Sequence, residues 1–229
     1  MNVKSVHNSL IEDLGHIAVA ICRPDKNKNQ QHIGFVYKDA DDNVRLLHLR
    51  WHYKLSNDEF SDEYLWLELP IDPINKIHLA TVCSLIVTSN VQGIPYSLGM
   101  GDSNFTETGN FVAQNSYAGL TCATFVMQVF DSQRLPIIDL DNWKHRKSDK
   151  KWQRQILQQL ELWLKRNEYE KKYIDDYLAY QNRLIKAGCA RYKPEEVAAA
   201  SAMGSPPHGA EPVKKPAAQL LNDVIAHST

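Results

Sequence analysis

Cys122 lies where a thiol can act as a nucleophile. The segment GLTCATFV, residues 119 to 126, places it directly after Thr121, which can cap a helix that continues through apolar residues. The first turn of a helix offers unpaired N–H groups and the positive end of the helix dipole, which stabilise a thiolate and can hold the oxyanion of an acyl-transfer intermediate. The other three cysteines lack this placement: Cys22 lies in a predicted strand, Cys83 inside a predicted helix and Cys189 just after one. We therefore predict that Cys122 is a catalytic nucleophile, with a packed core thiol as the alternative.

A cysteine nucleophile needs a base and a group that orients the base, and the chain offers nine histidines. The segments HIGFVY, 32 to 37, and VRLLHLRW, 44 to 51, are predicted strands joined by a short hairpin connection. Opposed residues in such a hairpin have numbers that add to a constant, here about 80 to 82, which puts His32 opposite His48 or one diagonal step away. We predict that both imidazoles lie on one face and that the helix carrying Cys122 docks there, with His32 as base and His48 as orienting group.

Three further side chains are candidates for the same site. His16 begins a strand much as His32 does, and His52 follows His48 closely, so either could be the true partner. Gln114 precedes the cysteine at a distance where an oxyanion-hole side chain could sit, although a surface amide is the commoner explanation.

The predicted elements that position these residues indicate an α+β fold. Four short strands occupy the first third of the chain as an antiparallel meander, at 16 to 22, 32 to 37, 44 to 51 and 65 to 69. A helix is predicted over 73 to 91, irregular structure over 92 to 118, and an exposed loop for the acidic stretch NDEFSDE, 57 to 63.

The chain divides into three predicted parts. A catalytic domain covers 1 to 140, and an extension of two helices with aromatic stripes, a helical hairpin, covers 141 to 203. Because GSPPHGAEPVKKPAAQ is rich in Pro, Gly and Ala, we predict a flexible tail over 204 to 229. The amphipathic stretch AQLLNDVIAH within it could be a docking helix or a frayed end.

Two pairs of segments resemble papain-like cysteine enzymes of the NlpC cell-wall peptidase type. QHIGFVY followed by LLHL is similar to the strands that carry that family's histidine and second polar residue, and IPYSLGMG followed by GLTCATFV is similar to its tyrosine–glycine segment and nucleophile helix. The order His32, His48, Cys122 resembles the circularly permuted branch that includes lecithin retinol acyltransferase-like proteins. The resemblance covers roughly residues 15 to 133 and implies a permuted papain-like fold, with Tyr96 as an oxyanion or substrate contact. Thr-Cys-Ala stands where the NlpC pattern usually has Asp-Cys-Ser, and a long insertion separates Tyr96 from Cys122.

This resemblance implies a cysteine hydrolase that cleaves an amide bond, in the first instance in a peptidoglycan stem peptide, so that the substrate is a peptide or glycopeptide. Acidic residues and His16 interrupt the pattern of a signal peptide, which leads us to expect cytoplasmic synthesis. A cell-wall substrate would then require delivery to a target-cell periplasm by a dedicated secretion system, as for an antibacterial effector toxin with an immunity protein. Two alternatives stay open: an intracellular lipid or thioester acyltransferase or hydrolase that uses the same residues, and a non-catalytic interaction module.

Charge and hydropathy limit the partners. With 26 Lys and Arg against 27 Asp and Glu, the net charge of -1 gives no general attraction to nucleic acid. No stretch reaches the roughly 18 apolar residues of a membrane span. The histidines of HLRWH would lie roughly 13 Å apart in a strand, so we predict neither a metal site nor another cofactor.

Overall fold

A six-stranded antiparallel sheet forms the centre of the computed structural model, which describes residues 2–101 and 103–228. The strands are β1 (Val3–Lys4), β2 (Ile17–Cys22), β3 (His32–Lys38), β4 (Val44–Trp51), β5 (Lys54–Glu59) and β6 (Leu65–Glu68). Their spatial order is β1-β6-β2-β3-β4-β5. The predicted α+β class with an antiparallel sheet is confirmed, and β1 and β5 are additional to the four predicted strands.

Six helices and a small hairpin complete the fold. The hairpin pairs β7 (Ser103–Phe105) with β8 (Phe111–Ala113). The helices are α1 (Pro73–Ser89), α2 (Cys122–Ser132), α3 (Lys147–Arg166), α4 (Lys171–Ala187), α5 (Pro194–Ser201) and α6 (Ala210–His227). None of the helices in the described part of the chain has the length and apolar character needed to cross a bilayer.

The central strands are buried on both faces, which explains why β2 is a continuous apolar run rather than an alternating one. On one face, Phe35 of β3 packs against α2, with ring centroids 6.4 Å from Phe125 and 5.5 Å from Phe130. The opposite face carries a separate cluster that includes Val36, Leu46 and Trp66. The two faces of β3 therefore pack against different clusters, and consecutive residues of the strand lie on opposite faces of the sheet.

The β3–β4 hairpin has the predicted register. Phe35 pairs with Leu47 and Val36 with Leu46, and continuing this register places Gly34 opposite His48. A Cβ atom at Gly34 would lie 2.7 Å from the Cβ of His48 and 2.6 Å from the carbonyl oxygen of Leu47. Glycine at this position leaves the space in which His48 lies over β3.

Helix α2 begins at Cys122 because Thr121 caps it. The Thr121 hydroxyl accepts a hydrogen bond from the Thr124 N–H at 3.1 Å, and the Thr121 N–H donates to the Thr124 hydroxyl at 2.7 Å. This reciprocal capping box satisfies two of the N–H groups at the start of the helix. The apolar face that follows is almost wholly buried in the main core, which fixes the helix against the sheet.

The C-terminal third packs as two different layers. Helices α3 and α4 share a second core with Tyr96 and Leu98, whereas α5 lies in the main core with the sheet and α2. The prediction of a flexible tail over 204 to 229 was wrong, because that range contains α6. The helix buries Val213, Ala217, Leu220 and Val224, whose spacing gives one apolar face. The Pro and Gly residues around Ser205 form the connection to this helix, and their composition concealed the helical spacing that follows.

Candidate active site

Two imidazoles meet on the face of the sheet away from α2. His32, the first residue of β3, places its Nε2 2.8 Å from Nδ1 of His48 in β4. The rings are arranged edge to face with centroids 4.9 Å apart. The contact predicted from the hairpin register is therefore present.

A carboxylate continues this chain of contacts. Oδ2 of Asp58, in β5, lies 3.0 Å from Nε2 of His48. Because an ionised carboxylate only accepts hydrogen bonds, this contact selects the tautomer in which His48 Nε2 carries the proton and Nδ1 accepts. His32 then donates from Nε2, and its Nδ1 is left with a free lone pair. No hydrogen bond in the described chain engages that Nδ1.

Tyr64 completes the environment of His48. Its hydroxyl lies 3.2 Å from His48 Nδ1, the same nitrogen that His32 approaches, and it also interacts with the Cys22 thiol. Tyr64 is almost fully buried, so it fixes the imidazole from the side opposite Asp58. A cavity of about 340 Å³ adjoins these residues and is lined by His32, His48, Arg50, Asp58 and Tyr64, among others.

Burial keeps both imidazoles neutral. It lowers the pKa of His32 to about 3, with the charges of His48 and Arg50 acting in the same direction. Burial also lowers the pKa of His48, although its hydrogen bond to Asp58 opposes this. At neutral pH the pair is therefore an uncharged acceptor chain, which is the state that a general base requires before it takes a proton.

The Cys122 thiol lies at the first turn of α2 and is half-buried. Burial raises its pKa to about 11, while the N–H groups of Ile33, Ala123 and Cys122 itself and the charge of Arg191 lower it. Ile33 directly follows His32 in β3, so the sulfur lies at the end of the strand that carries the predicted base. The thiolate charge also raises the pKa values of Cys22 and Tyr64, after the larger effect of burial.

The docking face of the nucleophile helix was predicted wrongly. Helix α2 packs on the face of β3 that carries Phe35, whereas His32 and His48 belong to the opposite face with Leu46. Because side chains alternate along a strand, the thiol approaches His32 around the end of β3 and not across the face of the sheet. No hydrogen bond joins Cys122 to any histidine of the described chain in this arrangement.

The structure brings Tyr96 to the Cys122 side of the site and leaves Gln114 away from it. Tyr96 is buried, and burial raises the pKa of its hydroxyl, with the Cys122 charge acting in the same direction. Gln114 is exposed just after β8 and forms no hydrogen bond with a described residue. The insertion between Tyr96 and the nucleophile therefore carries Gln114 outward in the β7–β8 hairpin.

Neither alternative histidine joins the pair. His16 is exposed at the other end of the six-residue strand β2, roughly 20 Å from His32. His52 is fully buried among aromatic rings, where Nδ1 accepts from the Tyr96 N–H at 3.1 Å and Nε2 lies 3.3 Å from the Tyr173 hydroxyl. Since both its nitrogens are engaged and burial lowers its pKa to about 4, His52 is a structural residue.

One residue of the site was missed by the sequence prediction. Asp58 was placed in an exposed loop, although β5 extends through Lys54–Glu59 and pairs Leu46 with Asp58. A tight turn between β4 and β5 could have been recognised in the sequence. The resulting hairpin would have placed Asp58 on the same face as the two histidines.

No group of three or more His, Cys, Asp or Glu side chains within residues 2–101 and 103–228 is placed to hold a metal ion. The chain matches no protein-family model, no curated protein and no solved structure.

Proposed function

We propose that this protein is a cysteine hydrolase of the permuted papain-like type, with Cys122 as nucleophile and His32 as general base. One observation carries the proposal: the hydrogen-bonded chain from Asp58 through His48 to His32 leaves Nδ1 of His32 unprotonated, one residue before the Ile33 N–H that contacts the Cys122 thiol. A base oriented by a second group and a cysteine at the start of a helix are the components that acyl transfer requires.

The reaction follows from these positions. As the Cys122 sulfur attacks the carbonyl carbon, its proton passes to Nδ1 of His32. The N–H groups at the start of α2 donate to the oxyanion of the tetrahedral intermediate. When the C–N bond breaks, His32 gives its proton to the departing amine and an acyl-cysteine remains. Water then attacks the acyl carbon, His32 accepts a proton from it, and collapse of the second intermediate releases the acid and the thiol.

The resting geometry must change before the first step. The thiol and the imidazole are neutral and not hydrogen-bonded to each other, and substrate binding commonly tightens such contacts. A proton transferred during attack avoids the cost of a preformed buried ion pair. His48 and Asp58 stabilise the imidazolium that forms for the lifetime of each intermediate.

The charged lining of the cavity favours a polar substrate over a lipid chain. Arg50, Asp58 and Glu63 line the cavity on the His32 side of the site, which the Cys122 side chain does not line, whereas an acyl channel would be lined by apolar side chains. We therefore propose amide hydrolysis in a peptide or glycopeptide, with peptidoglycan stem peptides as the first substrate to test. Delivery as an antibacterial effector is part of the same proposal.

The decisive assay compares purified muropeptides with lipid esters and thioesters. Wild type should release free amine from muropeptides, Cys122→Ala and His32→Ala should not, and His16→Ala should retain full activity because His16 is exposed and distant. Activity on lipid esters alone would instead support the alternative of a lipid acyltransferase or hydrolase. A folded wild type inert on every substrate, with an unreactive Cys122 thiol, would favour the interaction module.

The effector hypothesis has its own test. Wild type expressed in a bacterial periplasm should arrest growth or lyse cells, and Cys122→Ala expressed at the same level should not. Equal tolerance of both proteins would reject the toxin while leaving the hydrolase open to the assay above.

A further inference from the structure

A second cavity opens between α3 and the chain that leads into β3. Its volume is about 450 Å³, and it is lined by residues 28–30 and by one face of α3. Neither His32 nor Cys122 lines this cavity, so it is distinct from the one at the histidine pair. The face of α3 includes residues three or four positions apart, which share one side of a helix: Trp152, Gln155, Gln159 and Leu162.

The walls of this cavity offer hydrogen-bonding groups that are uncharged. Among the described residues that line it, only Lys28 is charged, and its Nζ lies 3.0 Å from Oδ2 of Asp25. Each side-chain amide in the wall carries a donor and an acceptor side by side. Four of these amides form no hydrogen bond with a described residue: Gln30, Gln155, Gln158 and Gln159. The cavity therefore presents four unused donor–acceptor pairs, and its one charge is already paired.

Trp152 adds an aromatic surface to these amides. One face of its ring is covered by the guanidinium of Arg191, whose central carbon lies 4.1 Å from the ring centroid, so the indole is held in place. The Nε1–H of Trp152 is buried and has no hydrogen-bond partner among the described residues. A buried donor without an acceptor is costly, and a ligand oxygen in the adjoining cavity is one way to supply the acceptor. Ile156 and Leu162 extend the apolar part of the wall.

This combination of groups matches a neutral saccharide. Adjacent hydroxyl groups of a sugar both donate and accept, as the glutamine amides do, and the C–H face of a pyranose ring packs on aromatic and aliphatic side chains. A charged ligand would find no free counter-ion in this lining, and a lipid chain would leave the amides without partners. We propose that the cavity between α3 and residues 28–30 binds a neutral saccharide.

The saccharide cavity begins close to the proposed base. Gln30 lies two residues before His32, so their Cα atoms are within about 8 Å of each other. Pro24, in the same connection between β2 and β3, lines the cavity at the histidine pair. One connecting segment therefore borders both cavities, and a glycopeptide could place its sugar against α3 and its amide bond at His32. This positioning of a substrate rests on the proposed function, whereas saccharide binding does not.

Calorimetric titration of the full chain with chitotetraose tests the binding, together with cellotetraose, which has the same linkage without acetamido groups. Binding of either saccharide supports the inference, and the preference between them identifies the sugar. Proton–nitrogen NMR locates the site, because Trp152→Phe identifies the Trp152 signal among the five indoles, and that signal should shift on titration. Binding of neither saccharide at about 10 mM, well above the Kd of a millimolar complex, overturns the inference. Binding of a free stem peptide at this indole in place of a saccharide would likewise overturn it.

Gln155→Ala and Gln159→Ala test the amides. Both residues are exposed, so the fold should persist, and loss of a hydrogen bond should raise the Kd for the saccharide by about three- to tenfold in each variant. Gln219→Ala removes an exposed glutamine from α6 and should leave the Kd unchanged. Wild-type Kd values in both α3 variants would place the saccharide elsewhere and reject this cavity as its site.

Saccharide binding and catalysis can fail separately. Cys122→Ala should bind the saccharide as wild type does, because Cys122 does not line this cavity. If the protein binds a saccharide and hydrolyses no muropeptide, the proposed function is rejected and the saccharide site stands. If it hydrolyses muropeptides and binds neither saccharide, the saccharide site is rejected and the hydrolase stands. In an active enzyme, Gln159→Ala should raise KM for a muropeptide that carries its sugar and leave KM for the free stem peptide unchanged.

Discussion

Gly34 lies directly under His48, and a Cβ atom added to Gly34 would be 2.7 Å from the His48 Cβ. Such a separation is shorter than carbon atoms tolerate, and the Leu47 carbonyl oxygen would be only 2.6 Å away. Since β3 and β4 are paired from Phe35–Leu47 onward, directly beside Gly34 and His48, the backbone cannot yield without disturbing the ladder. The absence of a side chain at one residue thus sets the position of the imidazole that orients the predicted base.

Gly34→Ala tests this packing. We expect it to displace His48, lengthen the contact with His32, lower the free energy of unfolding by about 1–3 kcal/mol and reduce hydrolysis. Urea denaturation and the muropeptide assay measure the two effects. Gly204→Ala is the matched control, because a Cβ there meets no atom within 4 Å. Normal stability and activity in Gly34→Ala would show that His48 has more room than the structure gives it.

Asp58→Asn tests the tautomer assignment. The amide can donate to His48 Nε2, which would move the imidazole proton to Nδ1 and remove the acceptor that His32 uses. We expect kcat to fall by about 10²-fold or more, with little change in KM or in the unfolding midpoint. Asp175→Asn, an exposed change of the same chemistry on α4, should have no effect. If Asp58→Asn hydrolyses substrate at the wild-type rate, Asp58 is not part of the proton chain.

The stability of the fold should depend on pH through its buried histidines. Burial lowers the pKa of His32 to about 3 and of His52 to about 4, from an ordinary value of 6.5. Below pH 6.5 these two histidines bind protons in the unfolded chain but stay neutral in the folded one. The free energy of unfolding therefore has its full value above pH 6.5 and falls as the pH drops toward 4.

Urea denaturation at pH 7.5, 6 and 5 measures this dependence. His52→Gln should flatten the curve because it removes one of the groups that must stay neutral in the fold. His16→Gln, at an exposed position, should keep the wild-type slope. A free energy of unfolding that stays constant over this range in wild type would contradict the buried, neutral state of both histidines.

Leu220→Ala tests the role of α6. Leu220 is fully buried in the main core, so its truncation should lower the free energy of unfolding by about 2–5 kcal/mol. Leu162→Ala removes the same atoms from a side chain that is 55% exposed on α3 and should change stability little. Equal stability of the two variants would show that residues 210–227 do not pack in the core and behave as a flexible tail.

Much of the local structure could be predicted because it depends on residues close together in the chain. The start of α1 follows from Asp72, which caps Asn75, and from Pro73 in the first turn. The start of α2 follows from Thr121 in the same way. The contact of His32 with His48 was also predictable, because a short hairpin connection restricts the register to a narrow choice.

Where prediction failed, the signal was weak or composition opposed it. The polar strand β5 lacks apolar alternation, so Asp58 was assigned to a loop, and Pro and Gly near α6 outweighed the spacing of its buried residues. The face on which α2 packs could not be inferred from its own sequence. It depends on which side of β3 offers the larger apolar surface, and that is a property of several strands together.

The sequence by itself determined the capped helix that begins at Cys122 and the hairpin that joins two imidazoles. These features rest on hydrogen bonds and side-chain periods within a few residues of each other. Only the tertiary structure decided that Asp58 binds His48 and that His52 is enclosed by aromatic rings. Those relationships join residues up to 125 positions apart, as His52 and Tyr177 are, and they arise from the packing of whole helices on the sheet, which no local pattern encodes.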